Sequence, residues 1–226
     1  VTVAQLPLDL PHRVALGRDD FLVGEANAVA VALIDSWPKW PMSIAMLVGP
    51  PGSGKTHLSE VWRTRCDALC VEPDALSEAD LPTLVANKAV LLEDVDLLPA
   101  NAETNLFHLI NLIKEEQGHL LLTSKIGPAQ LEVKLPDLSS RLRAAVTAEL
   151  GAPDDDLLAA VLEKLFQDRQ LPVPEATIRY LAVHMDRSIA VARTLVGEID
   201  RAALAGKRRV TVPLVAEVMK RLPTSS

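Results

Sequence analysis

The sequence predicts an α/β protein: a parallel sheet flanked by helices, followed by a small all-helical domain. Three observations carry that prediction. From Asp19 to about Leu150, short apolar runs of strand length alternate with helical patterns, as they do where helices wrap a parallel sheet. At Gly151-Ala152-Pro153 the chain is punctuated, and the strand signal then vanishes. After the run Ile44-Ala45-Met46-Leu47-Val48 comes Gly49-Pro50-Pro51-Gly52-Ser53-Gly54-Lys55-Thr56, which fills every required position of the phosphate-loop pattern G-x-x-x-x-G-K-[ST].

The strand candidates are 44–48, 68–71, 89–93, 119–123 and 146–149. A helix is expected from Thr56 to Arg65 and another over 102–117, where Leu106, Leu109, Ile110 and Ile113 share one stripe. Beyond Pro153, the segments 154–170, 175–185, 188–205 and 212–222 all read as helices, with Pro172, Pro174 and Pro213 marking starts or joints. The expected organisation is an extended tail over 1–18 carrying Pro7 and Pro11, an α/β domain over 19–150 and a helical lid over 151–226. A length of 226 residues suits a medium domain joined to a small one.

Composition bounds the function. The chain is 49% hydrophobic but 3% aromatic, so its core rests on Leu, Val, Ile and Ala. A formal charge of −7 argues against a broad grip on nucleic acid, and little direct DNA binding is expected. The basic run Lys207-Arg208-Arg209 is short and reads as a solvated helix end. Cys66 and Cys70 make neither a disulfide framework nor a four-ligand metal set. No apolar run reaches transmembrane length and no charged leader precedes an apolar stretch, so a soluble cytoplasmic protein without membrane contact is expected.

The loop names a ligand chemistry. Gly49, Gly52 and Gly54 let the backbone turn tightly and aim N–H groups at phosphate oxygens, and the following helix N-terminus adds partial positive charge. Lys55 would reach the β- and γ-phosphates of ATP, or the β-phosphate of ADP, and the Thr56 hydroxyl would ligate Mg²⁺. The run Ala89-Val90-Leu91-Leu92-Glu93-Asp94 ends in two carboxylates. Glu93 is assigned to the metal and Asp94 to the attacking water, an inversion of the more usual order that puts hydrolysis by this pair in question. Thr123 and Ser124 close the fourth apolar run, either orienting that water or making an ordinary strand exit. Arg141, in Leu138-Ser139-Ser140-Arg141-Leu142, has the chemistry to neutralise transition-state charge on a phosphoryl group, although on spacing alone a surface arginine is the better reading. Arg187 and Arg193, near the start of the third lid helix, are candidates to reach the phosphates.

Taken in order, these motifs resemble the AAA+ family of the bacterial replication initiator DnaA, over roughly residues 19 to 222. Phe21-Leu22-Val23-Gly24-Glu25-Ala26-Asn27 is similar to the segment lining that family's adenine pocket, which implies nucleotide contacts for Phe21, Leu22, Val23 and Asn27. Gly54-Lys55-Thr56-His57-Leu58 matches its loop ending and brings in His57. Ser140-Arg141-Leu142 falls where the family carries an arginine finger, which implies that Arg141 acts on nucleotide in a neighbouring subunit. The usual lid sensor position falls near Ala190, which leaves Arg187 and Arg193 as its stand-ins.

Two departures narrow the resemblance. The sequence stops at Ser226, where DnaA continues into a helix-turn-helix DNA-binding domain, and it opens on Gln5-Leu6-Pro7-Leu8-Asp9-Leu10. That peptide resembles the one with which replication proteins dock on the sliding clamp: Gln5 at the pocket rim, with Leu6, Leu8 and Leu10 as apolar anchors. Ile199-Asp200-Arg201-Ala202 and Val210-Thr211-Val212-Pro213 are similar to the closing helices of the Hda-type regulators, a DnaA-related branch. This resemblance implies a clamp-dependent negative regulator of replication initiation that promotes hydrolysis of DnaA-bound ATP and is itself at most a weak ATPase. DnaA and the clamp are its implied partners, and a homo-oligomer is left open. A helicase-loader-like AAA+ protein or a self-contained P-loop ATPase are the alternative expectations.

Overall fold

The computed structural model describes residues 22–206 and 208–221. The expected tail over 1–18, with Gln5, Leu6, Leu8 and Leu10, and also Phe21 of the expected α/β domain, lie outside the described residues. Two compact units divide the chain, one over Val23–Pro153 and one from Asp154 onward.

The first unit is built on a five-stranded parallel sheet in the order β2-β3-β4-β1-β5. Its strands are β1 (Ile44–Val48), β2 (Leu69–Val71), β3 (Ala89–Leu92), β4 (His119–Ser124) and β5 (Val146–Glu149). The central strands are almost wholly buried, which is why they read as unbroken apolar runs rather than alternating ones. Helices α1 (Ala28–Asp35), α2 (Lys55–Cys66), α3 (Leu81–Leu84), α4 (Glu103–Glu115) and α5 (Pro136–Arg143) flank the sheet. The α4 stripe predicted from spacing is buried as expected, with Leu106, Leu109, Ile110 and Ile113 against Leu92, Leu120 and Leu122. The α/β expectation is therefore confirmed, with small shifts: β3 ends at Leu92, one residue before Glu93, and β2 begins at Leu69.

The second unit is helical among the described residues: α6 (Asp155–Asp168), α7 (Glu175–His184), α8 (Ile189–Gly206) and α9 (Val212–Met219). Asp154 caps α6, its carboxylate accepting the Leu157 N–H at 2.7 Å. Leu158, Leu162, Phe166, Leu181, Val196, Ile199 and Val215 form its core. The last helix stops at Met219 rather than at 222, because the chain turns at Lys220 and Arg221.

Composition concealed one packing feature. The chain's three tryptophans, few as they are, gather at the far end of α2. Trp62 is fully buried and stacks on Trp40 at 5.4 Å, while Trp37 meets Trp62 edge-on at 6.4 Å. His119, at the start of β4, lies edge-on to Trp40 at 5.5 Å, and the Trp40 indole N–H donates to the Leu33 carbonyl at 2.7 Å.

Candidate functional site

Strand order builds the site. Because β1 lies beside β4, and β4 beside β3, the C-terminal ends of these strands bring three segments together: the loop after Val48, the hydroxyls of Thr123 and Ser124, and the carboxylates after Leu92. Ligand sites at the carboxyl ends of a parallel sheet follow from this geometry.

The loop is tightly fitted. The Gly49 N–H donates to the Ser124 carbonyl at 3.0 Å. A Cβ on Gly49 would stand 2.3 Å from the Leu150 carbonyl oxygen, so only glycine fits there. Gly54 has φ 103°, a conformation open to glycine, and it launches α2. Lys55 is buried, and its ammonium donates to the Gly49 carbonyl at 2.6 Å and the Pro50 carbonyl at 3.1 Å. Burial lowers its pKa, against the opposing pull of Asp94 and Asp96. Pro50 and Pro51 are exposed on the loop's crest, His57 is half-buried one residue into α2 beyond Thr56, and the Thr56 side chain is exposed at the helix start.

A phosphate fits this cradle. Ser53 Oγ is buried inside the loop with no hydrogen-bond partner, and a buried hydroxyl in that condition suits an anionic oxygen arriving at the backbone N–H groups. Among the described residues no group of three or more His, Cys, Asp or Glu side chains could hold a metal by itself. The oxygen donors of Thr56 and Glu93 suit Mg²⁺ accompanying phosphate, as cations of this type are held by one or two protein oxygens plus the phosphates.

The two carboxylates are held differently. Glu93 is half-buried and accepts a hydrogen bond from Ser59 Oγ at 2.8 Å. Burial raises its pKa, opposed by the Ser59 bond and reinforced by Asp94, Glu72 and Glu60. Asp94 has φ 48° and ψ 50°, a left-handed backbone that aspartate tolerates better than most residues, and its N–H donates to Thr123 Oγ1 at 2.9 Å. Thr123 thus ties the fourth strand to the acidic turn. Ser124 makes a strand-exit turn instead: its Oγ donates to the Ile126 carbonyl at 2.7 Å and accepts the Ile126 N–H at 3.2 Å. Sequence reasoning missed Asp96, whose carboxylate accepts the Lys125 N–H at 3.0 Å beside this turn, and Ser59, which sits four residues beyond Lys55 on α2.

Val23 is more than half exposed, Leu22 is half-buried, and buried Asn27 accepts the Gly24 N–H on its side-chain oxygen at 2.9 Å, closing the turn into α1. Arg187 is exposed and paired with Asp155 at 2.8 Å. Arg193 is half-buried, with its pKa lowered by burial and by Arg169, and Ala190 is exposed.

Arg141 stands apart from the loop. Its guanidinium lies over the Phe107 ring, 4.8 Å from the centroid, and it lines a groove of roughly 610 Å³ shared with Trp40, Met42, Ile44 and His119. Ile44 and His119 begin β1 and β4, whereas the phosphate loop and Ser124 lie at the strands' other end, about 13 Å away at ~3.3 Å per residue.

A phosphate loop after β1 of a 2-3-4-1-5 parallel sheet, with paired acids just past β3 and a helical unit following in the chain, is the arrangement of the AAA+ fold. Residues 154–219 match the family model "Hda, lid domain". Over 230 residues the chain is 29% identical to an uncharacterized protein of Haemophilus influenzae, covering 95% of this chain and 98% of that one. The fold is that of domain III of the Thermotoga maritima replication initiation protein DnaA, with a TM-score of 0.80 at 19% identity over 94% of this chain and 98% of that one. It is also similar to AMPPCP-bound DnaA from Aquifex aeolicus, with a TM-score of 0.73 at 18% identity over 90% of this chain and 68% of that one. The segment 154–219 is thus similar to the Hda-type lid, and the chain has the fold of DnaA domain III. Among the described residues no helix is long and apolar enough to cross a membrane.

Proposed function

We propose that this protein is a negative regulator of replication initiation that binds ADP or ATP, docks on the sliding clamp, and promotes hydrolysis of DnaA-bound ATP through Arg141. The observation that carries the reading is the location of Arg141 at the opposite end of the strands from its own phosphate loop. A guanidinium there cannot serve its own nucleotide, and it suits a phosphate presented by a neighbouring AAA+ module.

In this reading each part of the chain has one task. Residues 49–57 hold the nucleotide phosphates, with Lys55 turning from the Gly49 and Pro50 carbonyls to a phosphate oxygen. Phe21, Leu22, Val23 and Asn27 border the base, and Arg187 and Arg193 are the candidate sensor arginines. Mg²⁺ would be held by Thr56 and, through water, by Glu93, where it neutralises phosphate charge. Thr123 fixes the turn that carries Asp94. Own turnover is slow, and the nucleotide acts chiefly as a structural switch. Gln5, Leu6, Leu8 and Leu10 supply the clamp peptide, which confines the activity to replicating DNA.

The support is the Hda-type lid over 154–219 together with the DnaA-like fold. The deciding experiment measures DnaA–ATP hydrolysis with this protein, with and without DNA-loaded clamp. Stimulation that requires both, and that disappears when Gln5, Leu6 and Leu8 are replaced by Ala, is the expected result. Steady ATP turnover by the isolated protein, indifferent to clamp and DnaA, would instead identify a self-contained ATPase.

A further inference from the structure

The groove beside Arg141 is apolar along one wall and cationic along the other. Trp40, Met42 and Ile44, at the entry to β1, form the apolar wall, and Met42 is 50% exposed. Lys114 and Arg141 form the cationic wall. Lys114 lies on α4 seven residues past Phe107, two turns along the same face and about 10.5 Å down the axis. The face of α4 that holds Arg141 through Phe107 therefore presents Lys114 as well. Among the described residues no Asp or Glu lines the groove, and neither cation has an ion-pair partner. Glu115 is near, in a second hollow shared by Lys114 and Arg141, yet it pairs with neither. This stands out in a chain of net charge −7, whose Arg63, Arg179 and Arg201 each pair with a glutamate of their own helix. Two cations without acids, beside open apolar surface, match a partner face that is both anionic and apolar.

We infer that this groove is a docking socket for the nucleotide-bearing face of DnaA: an apolar side chain of DnaA seats on Trp40, Met42 and Ile44, and Lys114 steers the anionic face in. The inference rests on the regulator reading above and divides its tasks between residues. Arg141 is held on Phe107 for the phosphate, so guidance and grip come from other groups. A face carrying a triphosphate is anionic, and a cationic hollow in an acidic chain selects that face over the remainder of DnaA. Lys114 is exposed, so it acts across solvent during encounter, and salt screens it. The Trp40, Met42 and Ile44 surface acts after contact, by leaving water, and so governs how long the complex lasts.

The test titrates this protein into DnaA–ATP with DNA-loaded clamp and reads two quantities, the half-saturating concentration and the maximal hydrolysis rate. Met42→Asp should raise the half-saturating concentration about tenfold or more, at low and high salt alike. Lys114→Glu should raise it about fivefold at low salt and far less at high salt. Lys114→Arg keeps the charge and should behave as wild type. Maximal rates of both Met42→Asp and Lys114→Glu should stay within about twofold of wild type, a split that a general loss of fold would not produce. Wild-type half-saturating concentrations in both variants overturn the inference while the regulator reading stands. A loss confined to the maximal rate overturns it too, since docking would then be intact. If Lys114→Glu is equally weakened in binding DNA-loaded clamp without DnaA, the cations serve DNA phosphates and the inference falls. If wild type gives no stimulation at all, the regulator reading fails and takes this inference with it.

Discussion

The Arg141 guanidinium rests on the face of Phe107, 4.8 Å from its centroid, so the side chain proposed to act on a neighbour is already held by its own subunit. The two residues come from α5 and α4, and the stacking limits the rotamers available to a long, flexible side chain. Arg141→Ala should cut stimulation of DnaA–ATP hydrolysis by about 10³-fold, while ADP binding and clamp binding persist. Arg141→Lys should fail nearly as badly, since an ammonium reproduces neither the planar fork nor the stack. Phe107→Leu should lose about three- to tenfold in stimulation, and nothing further when Arg141 is already Ala. Equal losses from Phe107→Leu in both backgrounds would mean that Phe107 acts independently of the arginine.

Lys55 is buried and already hydrogen-bonded to the loop's own carbonyls, which makes its role separable from folding. Lys55→Ala should weaken ADP and ATP binding roughly 100-fold, the worth of one or two charge-assisted hydrogen bonds. Stability should change little, because the substitution also removes a partly desolvated cation. Unchanged calorimetric affinity in a folded Lys55→Ala protein would reject the loop as a nucleotide site.

The fold was legible where one physical signal dominated. Parallel strands buried on both faces leave runs such as Val90-Leu91-Leu92 and Leu120-Leu121-Leu122, and their ends were placed to within a residue or two. The loop at 49–56 was legible because phosphate chemistry demands particular residues in sequence. What spacing could not supply were the partnerships made by strand order. Ser59 with Glu93 spans 34 residues and Asp94 with Thr123 spans 29, and both exist only because β3, β4 and β1 are neighbours. Thr123 and Ser124 looked equivalent along the chain, yet one bonds the acidic turn and the other its own loop. The tryptophan cluster was hidden for a similar reason, since residues 37, 40, 62 and 119 share no periodicity.

His119 gives the protein a pH dependence at its far end. Burial lowers its pKa from the ordinary value near 6.5, against the opposing Pro38 carbonyl bond. With the folded-state pKa below the unfolded one, the unfolded chain takes up the proton first as pH falls. Stability contributed by neutral His119 is therefore complete above about pH 6.5 and is lost as pH drops toward the folded-state pKa. Urea unfolding followed by tryptophan fluorescence should show a midpoint that falls more between pH 7.5 and 5.5 in wild type than in His119→Gln. Parallel pH profiles for the two proteins would assign the acid sensitivity elsewhere.

Glu103 places α5, and through it Arg141. The carboxylate begins α4 and is buried at 6% exposure, yet its partners lie on another segment: it accepts the Lys134 N–H at 3.1 and 3.0 Å and the Leu135 N–H at 2.8 Å. Leu135 has no capping side chain of its own, and Pro136 opens α5 without an N–H, so Glu103 satisfies the donors that this helix entry leaves over. Glu103→Ala removes the acceptor of both N–H groups in a partly buried site and should cost on the order of 1–2 kcal/mol in urea unfolding. Glu103→Gln keeps one acceptor oxygen and should recover about half of that loss. Stimulation of DnaA–ATP hydrolysis should fall in the same order, because both residues that hold Arg141 in place come from α4. If Glu103→Ala unfolds at the wild-type urea midpoint, water has replaced the carboxylate and α5 is held by its apolar residues Leu138 and Leu142 alone.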